Sequence, residues 1–149
     1  MPIGDICNRD VVVVRRKENI IEAARLMRSY HVGDVVVVED MNGNVMPVGI
    51  LTDRDIVVEL IAKEVPLDSV FVEDIMTLNP VTARSDSGVW DTIQCMRTYG
   101  IRRIIVTDER GALIGILSID DLLDLLAGEL TDVIRIVNAE QKRERELRQ

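Results

Sequence analysis

Aromatic side chains are scarce in this 149-residue sequence: one Trp, two Tyr and one Phe make up 3% of it. Basic stripes are missing as well. The 26 acidic residues outweigh 18 basic ones for a net charge of -8, which repels phosphate backbones, and no Lys/Arg run with interleaved aromatics offsets it. Nucleic acid is therefore not an expected partner. Cysteine and histidine are just as sparse. Cys7 and Cys95 stand far apart with no C-x-x-C pairing, and the lone His31 cannot join them in a usual zinc set, so no metal site is expected. The longest apolar runs, such as Val11–Val14 and Val35–Val38, fall far below the roughly 20 residues that span a bilayer, so no membrane contact is expected. Met1–Asp10 carries Asp5, Arg9 and Asp10 and lacks a basic start followed by an apolar core, which is no signal peptide. A cytoplasmic protein is the expectation. No nucleophile beside a base and no Walker-type glycine loop is visible, so nothing points to an enzyme.

What the sequence does have is 47% apolar residues, ample for a core, and an internal repeat. An offset of 69 residues aligns Ile6–Asp40 with Ile75–Glu109 without a gap, with identities at Ile6/Ile75, Val12/Val81, Arg15/Arg84, Met27/Met96, Arg28/Arg97, Tyr30/Tyr99 and Val37/Val106. Most other pairs keep their character, as in Val35/Ile104 and Glu22/Asp91. The offset then drops to 66 through Gly49/Gly115, Ile50/Ile116, Leu51/Leu117, Asp55/Asp121 and Leu60/Leu126. The length difference belongs to the turn marked by Asn42 and Gly43.

Each copy reads as strand, helix, strand, strand, helix. A short extended stretch (Val11–Val14 or Val81–Ala83) precedes a helix that places Ile20, Ala23, Ala24 and Met27, or Val89, Ile93 and Met96, on one face. Next comes a continuous apolar strand, Asp34–Glu39 or Arg103–Asp108, whose lack of alternation implies burial on both faces. A hairpin partner follows, Met46–Leu51 or Ala112–Leu117, with Pro47 near its start or on an edge. The closing helix carries Ile56, Val57, Leu60 and Ile61, or Leu122, Leu123, Leu125 and Leu126. This predicts an α+β fold of two tandem β-α-β-β-α units, spanning residues 1–62 and 72–128. Residues 63–71 form a linker whose Val70 and Phe71 should pack. Gly128 can interrupt or end the last helix, Thr131 can cap another over 129–149 with Leu130, Val133, Ile134 and Val137 on one face, and the final mixed-charge residues are solvated, frayed or a partner contact.

The repeat's most specific part is glycine, two apolar residues, Thr/Ser, two variable residues and Asp, at Gly49–Asp55 and Gly115–Asp121, supported by Ile75, Met76, Pro80, Val81 and Thr82. In this it resembles paired cystathionine beta-synthase (CBS) domains, the Bateman module, over nearly all of Ile6–Gly128. The resemblance implies two units packed sheet to sheet, with clefts for adenosine-containing ligands such as AMP, ATP, S-adenosylmethionine or NAD. It further implies a sensor of energy or metabolite state, a homodimer and a regulated target protein.

The residue chemistry is compatible with that implication. A fixed carboxylate can accept both vicinal hydroxyls of a ribose, which suits Asp55 and Asp121. Thr52 and Ser118 stand at a helix start, where a hydroxyl and free backbone N–H groups can meet ribose or phosphate oxygens. Arg54, and Arg102 with Arg103, are the candidate phosphate cations. Adenine would be read by strand backbone near Val13 and near Thr82 and Ala83, against walls such as Val35 and Ile104. A second reading stays open. Thr or Ser followed three residues later by an acid is also a helix cap, worth about 1 kcal/mol, and Arg102 and Arg103 can equally be solvated or salt-bridged. A ligand-independent interaction scaffold would need nothing more. His31 reads as a loop residue between helix and strand, and Trp90 as core or interface. The two copies are chemically unequal: Val13 stands opposite Thr82, Gly33-Asp34 opposite Arg102-Arg103, and Arg54 opposite Asp120.

Overall fold

The computed structural model of the chain describes residues 1–148. They form a first compact unit, Met1–Leu117, and a second beginning at Ser118. In the first unit, β1 (Val13–Val14), α1 (Ile20–Tyr30), β2 (Asp34–Met41), β3 (Asn44–Thr52) and a short α2 (Asp53–Ile56) build copy one, with α2 running on into a π-helical turn, Val57–Ile61. After a 3-10 turn at Leu67–Ser69 come α3 (Val72–Ile75) and β4 (Thr77–Leu78), then the copy-two elements β5 (Thr82–Arg84), α4 (Val89–Tyr99), β6 (Arg103–Thr107) and β7 (Leu113–Ser118). The second unit is one helix, α5 (Ile119–Leu147). The strands form a four-stranded sheet ordered β1-β2-β3-β4 and a three-stranded sheet ordered β5-β6-β7.

The uninterrupted valines of β2 are explained by two different cores. Val35 and Val37 point into the cluster formed with α1, α2 and Leu51, whereas Val36 and Val38 point the other way and pack with Ile105 of β6. This second cluster joins the two copies sheet to sheet, with Val11, Leu113 and Ile116 at its margin. Pro47 is accommodated where the β2–β3 register shifts, at a bulge beside Val38. Both long helices of the repeat end in a left-handed residue, His31 (φ 54°) after α1 and Gly100 (φ 63°) after α4, so His31 is a helix cap whose backbone glycine would favour.

The two copies complete each other's sheets. The segment before copy two supplies β4 to copy one, pairing Thr77 with Ile50 and Leu78 with Gly49. The segment before copy one does the same for copy two: Asn8 N–H donates to Ile116 O and Ile116 N–H to Asn8 O, both at 2.9 Å. Ile3 N–H donates to Ser87 O as Val72 N–H donates to Glu18 O, and Gly4 N–H to Ser85 O as Glu73 N–H to Arg16 O; in each pairing both partners are repeat equivalents, 69 residues apart. The exchange explains the leading glycine of each motif. A Cβ on Gly49 would meet Met76 Sδ at 2.7 Å and Thr77 O at 3.0 Å, and one on Gly115 would meet Asn8 O at 2.6 Å and Cys7 Sγ at 2.7 Å.

Several expectations are corrected. Val70 packs in the copy-one core together with Val72 and Met76, but Phe71 is exposed. In the closing helix of copy one only Ile56 and Leu60 are buried, because Val57 and Ile61 lie on the outward side of a turn that a single short helix cannot bury all round. In copy two Leu122 is buried while Leu123 and Leu126 are exposed. Trp90 is exposed, which rules out the core alternative and leaves the interface one. Gly128 neither ends nor interrupts the last helix, since α5 continues through it, and Thr131 caps nothing: its hydroxyl donates back to Ala127 O at 2.9 Å within the helix.

Candidate functional site

At the end of β3 the chain leaves the sheet and turns directly into α2, and the N–H groups of Thr52, Asp53, Arg54 and Asp55 at this junction all find acceptors within the chain. Thr52 is the cap. Asp55 N–H donates to Thr52 Oγ1 at 3.1 Å, and Thr52 N–H donates to Asp55 Oδ2 at 2.9 Å. The reciprocal box uses Oδ2 and leaves Oδ1 of Asp55 outside it. Both residues are half-buried. Asp53, next along, donates its N–H to Gly33 O at 2.9 Å and accepts from Arg54 N–H through Oδ1. Arg54 is exposed and makes no ion pair among the described residues.

Asp34, at the start of β2, stands directly opposite Thr52 in the β2–β3 ladder. Its carboxylate is reached from copy two by Arg103, whose Nε lies 2.9 Å from Asp34 Oδ1. Arg103 is the repeat equivalent of Asp34, so the two pair across the pseudo-two-fold that relates the copies. At such a position identical residues would face each other, and opposite charges require the copies to differ there. Burial pushes the Asp34 carboxyl above its ordinary value, by more than Arg103 draws it down, and the nearby Asp53 adds to the rise. Space around Gly33 is also restricted, with Asp53 Oδ2 and Arg103 Nη2 at 3.2 and 3.5 Å from an added Cβ.

Of the other residues singled out in the sequence, Val13 is exposed on β1 and lines a groove of about 530 Å³ with Asp10, Val11, Val12, Leu26 and Tyr30. Neither Thr52 nor Asp55 lines that groove. Val35 and Ile104 are buried and present no wall to a cleft; Val35 belongs to the copy-one core. Thr82 and Ala83 pair with Ile105 and Val106 on β5, and Arg102 is exposed. Ser118 and Asp121, in the second unit, form the same box as Thr52 and Asp55: Ser118 N–H donates to Asp121 Oδ2 at 2.8 Å and Asp121 N–H to Ser118 Oγ at 3.2 Å. Here the serine hydroxyl also donates to Oδ2, at 2.9 Å. Sequence reasoning missed Asp34 and the groove's Tyr30. The signals were opposite charge at equivalent positions, and the identity Tyr30/Tyr99.

Among the described residues no group of three or more His, Cys, Asp or Glu could hold a metal ion, and no helix is long and apolar enough to cross a membrane. Comparison with known proteins matches the CBS domain model to residues 3–62 and 72–128. An uncharacterized protein of Methanopyrus kandleri is 33% identical over 123 residues, covering 83% of this chain and 61% of its own length, so the chain spans less than two thirds of that relative. A CBS domain protein from Pyrobaculum aerophilum, solved in complex with AMP, superposes with a TM-score of 0.73 at 27% identity, covering 85% of this chain and 99% of that one. A CBS domain pair solved with 5′-methylthioadenosine and S-adenosyl-L-methionine gives a TM-score of 0.75 at 26% identity, covering 87% of this chain and 98% of that one.

Proposed function

The chain belongs to the CBS domain family, and on that premise we propose that it is a regulatory module that binds an adenosine-containing ligand and reports its level to a target protein through a ligand-dependent homodimer. The carrying observation is the box at Thr52 and Asp55: it fixes a carboxylate at a helix start while leaving one oxygen of that carboxylate outside the cap. A ribose diol can donate to that oxygen. Ser118 and Asp121 repeat the chemistry. The AMP and S-adenosylmethionine held by structural neighbours support the ligand class.

In copy one Arg54 is the available phosphate cation, because Arg103 is engaged by Asp34. Val13 offers backbone beside the groove, as Thr82 and Ala83 do on β5. Val35 and Ile104 act through the core alone. The ligand works by linkage: binding one arrangement of the pair more tightly than another shifts the population toward it. A scaffold that needs no ligand is the second reading, and the same observation favours it, since the cap satisfies the hydroxyl and one carboxylate oxygen by itself.

Thermal shift with AMP, ADP, ATP, S-adenosylmethionine and NAD separates the two readings. Stabilisation by at least one compound is expected; no shift with any of them at millimolar concentration supports the scaffold. A cytoplasmic location accompanies the sensor reading, since these ligands are intracellular metabolites.

A further inference from the structure

The helix α5 carries an exposed apolar stripe. Leu123, Leu126, Leu130, Val133 and Val137 recur at alternating spacings of three and four residues, and all are exposed, Leu130 at 62% and Val133 at 57%. Ile134, exposed as well, widens it. Such spacing is the seam of a two-helix coiled coil.

The charges along the same helix are segregated. Its first half holds Asp120, Asp121, Asp124, Glu129 and Asp132 with no base. In the second half Arg135, Lys142, Arg143, Arg145 and Arg148 outnumber Glu140, Glu144 and Glu146. A helix that is acidic at one end and basic at the other is complementary to itself only when reversed.

We propose that this stripe is covered by the same stripe of a second copy, with the two α5 helices antiparallel. The inference rests on the homodimer reading above and specifies its seam and direction. One register pairs the middle of the stripe with itself and the acidic end with the basic one, and sets Leu123 level with Glu140 at its margin. When Leu126 faces Val137 of the second copy and Leu130 faces its Val133, Asp120 and Asp121 lie level with Arg143 and Lys142 of the other helix. Two-fold symmetry repeats each of these pairings. A parallel arrangement would also stack the leucines, but it sets the acidic halves side by side and brings Glu140 and Glu144, which continue the stripe's spacing, against their own copies. Helix dipoles add to the preference, opposing each other in the antiparallel pair and aligning in the parallel one.

Cysteine exchange tests the register in the full-length chain with Cys7→Ala and Cys95→Ala. Leu126→Cys and Val137→Cys are oxidised separately and then mixed, and products are identified by mass. The expected result is a mixed disulfide between the two variants that forms only on mixing. A second measurement uses the otherwise unchanged chain with Leu130→Asp and Val133→Asp. Light scattering should report half the wild-type mass, with the melting of the first unit retained. A disulfide of Val137→Cys with itself overturns the antiparallel direction. A dimer that survives the double aspartate substitution and gives no mixed disulfide overturns this seam while leaving the homodimer reading intact. A wild-type chain that is monomeric by light scattering overturns both.

Discussion

Gly115 and Gly49 hold equivalent places in the repeat but differ in what a methyl group would strike. At Gly115 the obstacle includes the backbone oxygen of Asn8 at 2.6 Å, which cannot move without breaking the paired hydrogen bonds to Ile116. At Gly49 the nearest atom is Met76 Sδ, part of a flexible side chain, and the backbone oxygen of Thr77 stands farther off, at 3.0 Å. Gly115→Ala should therefore destabilise by about 3 kcal/mol and Gly49→Ala by about 1 kcal/mol, the two ends of the usual overpacking range; chemical denaturation of the two variants checks the order. The left-handed caps give a second pair. Gly100→Ala should cost about 1 kcal/mol, and His31→Gly should stabilise by a similar amount, since a side chain at positive φ carries that penalty and glycine does not. Thermal melts of both variants decide it. None of these close approaches was visible in the sequence, where the glycines could be read only as part of a motif.

Among the elements, β2 was the most legible. Its run of valines implies burial on both faces, and the two faces belong to the copy-one core and the inter-copy cluster. Less legible was which helix residues would turn outward: Val57 and Ile61 share the chemistry of Ile56 and Leu60, and sequence alone does not say that one side of that turn has no partner. Gly128 can interrupt or end the closing helix of copy two, since glycine lowers helix propensity by about 1 kcal/mol, but that is a cost that 29 helical residues absorb. At the strand starts, Asp34 and Arg103 link the copies. The Asp34 carboxyl is held above its ordinary value of 3.8, so between that value and its folded value the native state binds a proton that the unfolded chain has released. The stability this group contributes is fully present below the ordinary value and is lost as pH rises through the folded one. Asp34→Asn removes the titration. Denaturation of both proteins across pH should show the wild type losing stability relative to the variant as pH rises through this window; parallel curves would show that Asp34 does not titrate abnormally.

On the scale of the whole molecule, the two copies are reciprocally completed, and this was the feature least accessible from the sequence. The repeat itself was plain, but a β-strand of one or two residues carries no periodicity, and nothing in Ile3–Asn8 says that it pairs with Ile116, in the other copy. Ile3 is fully buried. Removing residues 1–9 should therefore cost at least the 2–5 kcal/mol of emptying a large apolar core site, together with the bonds to Ser85, Ser87 and Ile116. The loss should be read as a lower midpoint in denaturant. Thr52 and Asp55 were legible in a different sense: both sequence readings, cap and ligand site, use the same atoms, and the observed box realises the first while leaving an oxygen for the second.

In the proposed sensor this oxygen receives a ribose, and calorimetric titration of an adenosine-containing ligand into wild type and Asp55→Asn tests that contact. Asparagine keeps an oxygen to accept from Thr52 N–H, so the cap and the fold are retained while the charge that strengthens the ribose bonds is lost. The ligand giving the largest thermal shift should lose about tenfold or more in affinity at one site, since a charge-assisted hydrogen bond is worth about 1.5–3 kcal/mol. Equal affinity of Asp55→Asn and wild type at every site would contradict it.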